Sequence, residues 1–298
     1  MRHLQRRDCS LSDFHSRVYC GPNANGWDVL MIGRRFMLLR VAAFLVLSSV
    51  LFASAGAASA PAPGPDELAL GNRFYKRMLH MHRILPATAI EESVVTRVGN
   101  QIATVSNPMY GVPFAFYTTD GDSPDAFVAV GPQVYVNRGL VHYVENADEL
   151  AAVMCHEMSH DIHHDGMNSL LLAVRADAIT QNAAARAKHI MRGHFARAID
   201  MATNLTEMLL LLHHSRMQEE RADLTGATIC ATAGFNPWGF VWLLEKMNRE
   251  YGGSRQLRWL SDHPDNAARI KALRHEFSKN RAVFGKFRND EAIATPLV

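Results

Sequence analysis

The feature that most constrains this chain is five residues long, His156-Glu157-Met158-Ser159-His160. It sits in a stretch that should be helical. Asn146, followed three residues later by Glu149, has the form of a helix-capping box, and Leu150, Val153 and Met154 continue at helical spacing. Residues four apart share one face of a helix, so His156 and His160 can present both imidazoles to one point. The flanking Ala151, Ala152, Val153 and Met154 would bury that helix. Buried histidines and a buried glutamate are costly unless they are paired or bound to a metal. An HExxH pattern recurs by chance, above all in a chain with 15 histidines. On an apolar helix it nevertheless points to zinc, which takes such nitrogens at about 2.0–2.1 Å. Glu157 would then lie beside the open coordination position and act as general base toward a zinc-bound water.

A further ligand must come from elsewhere. A pattern with Gly at 163 and His at 166 is absent, because the chain has His163 and Gly166. His163 and His164 follow the motif at a helix end and read as solvated. A carboxylate on a later helix is the other source, and Gln218-Glu219-Glu220-Arg221-Ala222-Asp223 offers Glu219 or Glu220.

The 298 residues, 48% apolar, are enough for one sizeable core. Formal charge is +2, with Lys+Arg at 31 against Asp+Glu at 29, which gives no basic footprint for nucleic acid. Residues 1–30 are polar and read as a start-site artefact or disordered extension ahead of Met31. Residues 31–60 have the form of a signal peptide: Arg34, Arg35 and Arg40, an apolar run from Val41 to Ala53, then small residues including Ala53-Ser54-Ala55. Uncleaved, the same stretch is long enough to anchor the chain in a membrane. Residues 61–65 read as a linker, 66–285 as the catalytic domain and 286–298 as a tail. Cys155 and Cys230 fall in apolar helical stretches and read as buried thiols, with a disulfide as the open alternative.

Helices are expected over Asp66 to Leu85, from a Thr88–Glu91 capping box to about Val105, and on both sides of a polar stretch within 168–233. Leu205–Leu212, inside that region, is far too short to span a membrane. Gly234 should end one helix, Asn236-Pro237 start the next, and a last helix follow Pro264. Val112–Thr118, Asp125–Val130 and Gln133–Asn137 read as strands of a small antiparallel sheet. The expected class is α+β, mostly α-helical, with that sheet beside the HExxH helix.

Four blocks together resemble a known family. They are Asp125-Ala126-Phe127 through Val136-Asn137-Arg138-Gly139-Leu140, then Glu149 to His160. Glu219-Glu220-Arg221-Ala222-Asp223 with Ala233-Gly234-Phe235-Asn236-Pro237 follows, and Ser261-Asp262-His263-Pro264 to Arg269-Ile270 closes the set. The sequence resembles the gluzincin metallopeptidases grouped with the CAAX prenyl protease, HtpX and BepA, and is most similar to the soluble periplasmic members. The resemblance implies a zincin-like domain with one zinc ion per chain, and makes Glu219 the third ligand. It makes Asp223 an acceptor that orients a ligating histidine, and places His263 near the metal, either closing the site by coordination or stabilising an oxyanion. Arg269 would pair with a carboxylate near the cleft. The implied activity is endoproteolysis of polypeptides, among them misfolded or mis-assembled envelope proteins. Outer-membrane assembly machinery is then a candidate partner, and the location periplasmic or secreted. The alternative is a chaperone or assembly factor with a latent zinc site. The chain departs from the pattern at Asp125, where Asn is common, and at Cys155, where a small apolar residue is usual. It also lacks paired membrane spans over 161–218.

Overall fold

The computed structural model describes residues 61–80, 83–180, 214–251, 263 and 266–298. The expectations for 1–30, the signal segment 31–60, Leu205–Leu212, and Ser261, Asp262 and Pro264 lie outside the described residues.

Helix α1 (Pro65–His80) turns Leu70, Phe74 and Met78 inward. Helix α2 (Ile90–Tyr110) starts at N-cap Ala89, without the expected capping box, and runs through Pro108 to Tyr110, five residues beyond the expected end. Thr88 is one residue too early to cap, and Glu92 instead accepts from Thr118 N–H at 2.7 Å. At the far end, the buried Tyr110 hydroxyl donates to Glu67 at 2.9 Å, holding the last turn in the helix.

Three strands follow: β1 (Ala115–Thr119), β2 (Ala126–Val128) and β3 (Gln133–Asn137). Their order is β1-β3-β2. The β2–β3 pair is antiparallel as expected, but β1 runs parallel to β3, so the sheet is mixed. The physical reason lies in burial. All five residues of β3 are buried, so it takes the central place, with Val134 and Val136 in the main core and Tyr135 against Phe74 and Ala129. Alternation along each run specifies faces, but neither strand order nor direction.

Beyond the sheet come α3 (Arg138–Tyr143), α4 (Ala147–Ile162), α5 (Asp165–Thr180), α6 (Arg216–Ala233), α7 (Gly239–Tyr251), α8 (Asn266–Lys279) and α9 (Arg281–Phe284), then a 3-10 turn at Glu291–Ile293. Every residue of α4 is buried, which makes it the central rod of the domain. The side chain of Asn146 caps it by accepting from Glu149 N–H, as expected, while the Glu149 carboxylate accepts from Glu145 N–H. Helix α6 crosses α4 at Gly226, where an added Cβ would meet the Cys155 carbonyl at 3.0 Å. That small residue lets the two helices carrying HExxH and Glu219 approach backbone to backbone. Gly234, at φ +95°, ends α6 as expected. Cys155 and Cys230 are buried free thiols.

The 286–298 segment packs onto this unit. Thr295 donates from its backbone N–H and its hydroxyl to Asp148, at 2.7 and 3.0 Å, in the first turn of α4. Asn236 N–H donates to the same carboxylate at 2.8 Å. Among the described residues, no helix is long and apolar enough to cross a membrane.

Candidate metal centre

Helical spacing puts the imidazoles of His156 and His160 on one face of α4, with their Nε2 atoms 3.1 Å apart. Helix α6 delivers Glu219 between them: Oε2 lies 3.4 Å from His156 Nε2, and Oε1 lies 3.4 Å from His160 Nε2. His263 closes the group with Nδ1 3.2 Å from His156 Nε2 and 2.8 Å from Glu219 Oε2. These side chains, all buried, bring one ligand atom each into a common cluster. Four donors at 2.0–2.1 Å around a tetrahedral ion stand about 3.3 Å from one another. The observed separations run from 2.8 to 3.4 Å, around that length.

The far sides of the two rings are also fixed. His156 Nδ1 donates to Asp223 Oδ1 at 2.9 Å, and Asp223 is gripped by Arg269 through two bonds of 2.7 and 2.8 Å. His160 Nδ1 donates to Asp165 Oδ2 at 2.9 Å, while Asp165 Oδ1 accepts from Gln218 at 3.2 Å and from Arg221. A proton held on each Nδ1 leaves the Nε2 of each ring pointing inward, as the atom that can take a second proton or a metal cation. Two nitrogen lone pairs and a carboxylate then converge on one point, an arrangement of acceptors that repel unless a positive charge joins them.

Two buried atoms reinforce this. Glu219 Oε1 and Glu157 Oε1 make no hydrogen bond among the described residues. Around the rings stand the carboxylates of Glu157, Asp165, Glu219 and Asp223, against the buried guanidinium of Arg269. The resulting field is strong. Burial opposes charge on His160, yet the bond to Asp165 and the nearby Glu219 carboxylate favour it and push its pKa up to about 10. Burial and Arg269 oppose charge on His156, and Asp223 and Glu219 still raise it. Burial alone would raise the Glu219 carboxyl, but the imidazoles of His263, His156 and His160 hold it far below the usual range. Arg269 and His156 likewise outweigh burial at Asp223, which falls to about 2. The donor set of two imidazoles and a carboxylate, with these orphaned oxygens, fits a divalent cation.

Glu157 is next to His156 on α4 but faces the sheet. Its Oε2 accepts from Val128 N–H at 3.3 Å, and its Oε1 lies 3.6 Å from His263 Nε2. The β2 register explains that contact. Asn137 N–H donates to the Asp125 carbonyl, so Phe127 bonds inward to β3 while Ala126 and Val128 turn their main-chain groups to the outer edge. The outer edge of β2 therefore faces Glu157.

The residues that the motif and the resemblance gave a site role meet here: His156, Glu157, His160, Glu219, Asp223, His263 and Arg269. Glu220, the competing carboxylate, is exposed. His163 and His164 are not solvated as expected. His163 bonds Thr225 at 2.9 Å, and His164 reaches Glu67 and the Pro61 carbonyl at 2.9 and 2.7 Å. Both are drawn in because the chain turns sharply after α4. Sequence reasoning missed Asp165 and His214. The His214 ring stacks on His160 with centroids 3.7 Å apart and planes 7° apart. Burial, with His160 and His263 alongside, holds His214 neutral and pushes its pKa down to about 2.

Known proteins are similar to this chain in sequence. Mitochondrial metalloendopeptidase OMA1 of Schizosaccharomyces pombe is 28% identical over 206 residues, 67% of this chain and 57% of the relative. Beta-barrel assembly-enhancing protease of Escherichia coli K12 is 24% identical over 222 residues, 72% of this chain and 45% of the relative. Its counterpart in Yersinia pestis is 32% identical over 95 residues, 32% and 19% of the two chains. The chain thus spans little more than half the length of these curated relatives at most. The profile of peptidase family M48 matches residues 89–277, a span that holds both strands and helices of the cluster just described, and the chain belongs to that family.

Proposed function

We propose that this chain is a zinc-dependent endopeptidase acting on polypeptides laid along the outer edge of β2. The observation that carries this reading is the convergence of His156 Nε2, His160 Nε2 and Glu219 on one point, 3.1 to 3.4 Å apart. His156, His160 and Glu219 would hold the ion, with Asp223 and Asp165 fixing the two rings. When bound, zinc supplies Lewis-acid polarisation of the scissile carbonyl and makes water more acidic. Glu157 takes a proton from the attacking water and passes it to the leaving amine. An extended substrate adds to the sheet through the main-chain groups of Ala126 and Val128, which brings its scissile bond beside Glu157.

The substrates fit the class of exported envelope proteins. Support comes from the signal-like segment 31–60 and from relatives whose names describe β-barrel assembly-enhancing proteases. On this reading the protein works in the periplasm or is secreted, and outer-membrane assembly machinery is its partner class.

One observation favours a second, latent reading. His263 Nδ1 takes the fourth corner of the donor set, where water would otherwise bind. We assign His263 to a closed form that must open before cleavage; a protein that stayed closed would serve as a chaperone or assembly factor. Zinc per chain, measured on wild type and Glu219→Ala, tests the site, with one ion expected in the first and loss in the second. Cleavage of unfolded casein with and without chelator, in wild type and Glu157→Gln, tests the activity. Cleavage that persists in Glu157→Gln or under chelation would refute the peptidase assignment.

A further inference from the structure

His214 stands directly before the Ser215–Gln218 capping box that opens α6. Its ring covers the face of His160, and its centroid lies 6.0 Å from that of His263. The residue is only 7% exposed, and its Nδ1 has no hydrogen-bond partner among the described residues. The side chain therefore holds a buried, unpaired nitrogen beside the site.

Two simpler roles fail on geometry. His160, Asp165 and His214 bring ligand atoms close together, which raises a second cation as a candidate. Imidazole lone pairs lie in the ring plane, however, and two nearly parallel rings 3.7 Å apart point theirs along planes that do not meet. An ion about 2 Å from both nitrogens would sit outside both planes. The second role is a brace that keeps His160 oriented. A phenyl ring would stack equally well and leave nothing unpaired, whereas a buried polar atom without a hydrogen bond is costly. The nitrogen is the part of His214 that a brace does not use.

We infer that His214 is a substrate-binding residue of the opened form: as the Nδ1–H tautomer, it donates to a main-chain carbonyl of the polypeptide that enters beside His160. The inference rests on the peptidase reading above. A neutral hydrogen bond made in the ground state and the transition state alike sets affinity rather than turnover. Its loss raises KM about tenfold and leaves kcat unchanged.

The test separates nitrogen from ring. His214→Phe keeps the stack and removes the donor, and it is placed in the zinc-loaded Glu157→Gln background so that no cleavage intervenes. Zinc per chain is measured, together with binding of fluorescein-labelled, reduced and carboxymethylated casein by anisotropy. The expected result is full zinc content and about tenfold weaker casein binding than in Glu157→Gln alone. Unchanged casein binding overturns the inference, and so does loss of zinc, which would place His214 in the metal centre. Should Glu157→Gln itself fail to hold zinc or to bind casein, the peptidase reading fails first and the inference with it.

Discussion

Asp165→Asn changes one oxygen to an NH2 group at a position where every neighbour is a donor. His160 Nδ1–H points at Oδ2, while Gln218 and Arg221 point at Oδ1. The amide can keep only one of these sides. The Arg221 side chain is 46% exposed and can turn to water, so its share is small. At His160 the loss is the acceptor's charge when the amide oxygen faces Nδ1–H, and the bond itself when the NH2 group does. With the NH2 group toward it, the ring must switch tautomer, accept at Nδ1 and carry its proton on Nε2, the atom that faces the metal cluster. A hydrogen bond to a charged partner contributes about 1.5–3 kcal/mol. At about 1.4 kcal/mol per factor of ten, that matches the 10- to 100-fold loss of metal affinity expected when such an orienting partner is changed. Competition for zinc against a chromophoric chelator at pH 7.5 measures it, with a thermal melt alongside to show that the fold is kept. Zinc affinity within twofold of wild type would refute the claim that Asp165 fixes the tautomer of His160. Asp223→Asn supplies the contrast. There the stranded partner is Arg269, buried and bonded twice, and breaking a buried pair costs about 3–5 kcal/mol, so this variant should lose stability before metal affinity can be compared.

Burial pushes the Glu149 carboxyl up to about 7 from an ordinary 4.5. The folded state thus holds this proton more tightly than the unfolded chain: the cost of burying the charge is absent below about pH 4.5, grows between the two values and is complete above about 7. Glu149→Gln, whose carbonyl can still accept from Glu145 N–H, should be more stable than wild type by about 1–3 kcal/mol at pH 8 and no more stable at pH 4.5, as read by chemical denaturation. Deleting 290–298 leaves the Asp148 carboxylate without both Thr295 donors, and should cost about 2–4 kcal/mol in the same assay. Stripping the metal with a chelator should lower Tm, because the buried carboxylates lose their counter-charge; an ion at a thousandfold excess over its Kd contributes about 4 kcal/mol. A melt that does not move once zinc loss has been verified would count against the ligand assignment.

What could be read from the sequence was what depends on local spacing. The α4 cap, its apolar face and the paired histidines lie within sixteen consecutive residues, and all were placed correctly. The ends of α6 and the start of α7 follow from Gly234 and from Asn236, whose side chain accepts from Trp238 N–H. The direction of β1 could not be read, because a strand's alternation is the same whichever way its neighbour runs. Nor could the docking of the C-terminal segment. The contact between Asp148 and Thr295 joins positions 147 residues apart through one carboxylate, and no periodicity records it.

The site divides along the same line. His156 and His160 announce themselves because one helix sets their spacing, whereas choosing Glu219 over Glu220 needed the family resemblance, since either could have faced α4. Asp165 was missed for a structural reason. It lies five residues past His160, off the face of α4, and comes back only because His164 takes a left-handed conformation, φ +54°. Nothing in Asp161-Ile162-His163-His164-Asp165 signals such a turn, as the residue in it is not glycine. The turn is held instead by the His164 bonds to Glu67 and the Pro61 carbonyl, contacts with the start of α1 and the segment before it. The tautomer of a candidate metal ligand on α4 therefore depends, through one turn, on Glu67 of α1, 97 residues before His164. Weakening the Glu67–His164 contact should disturb His160 without touching any ligand.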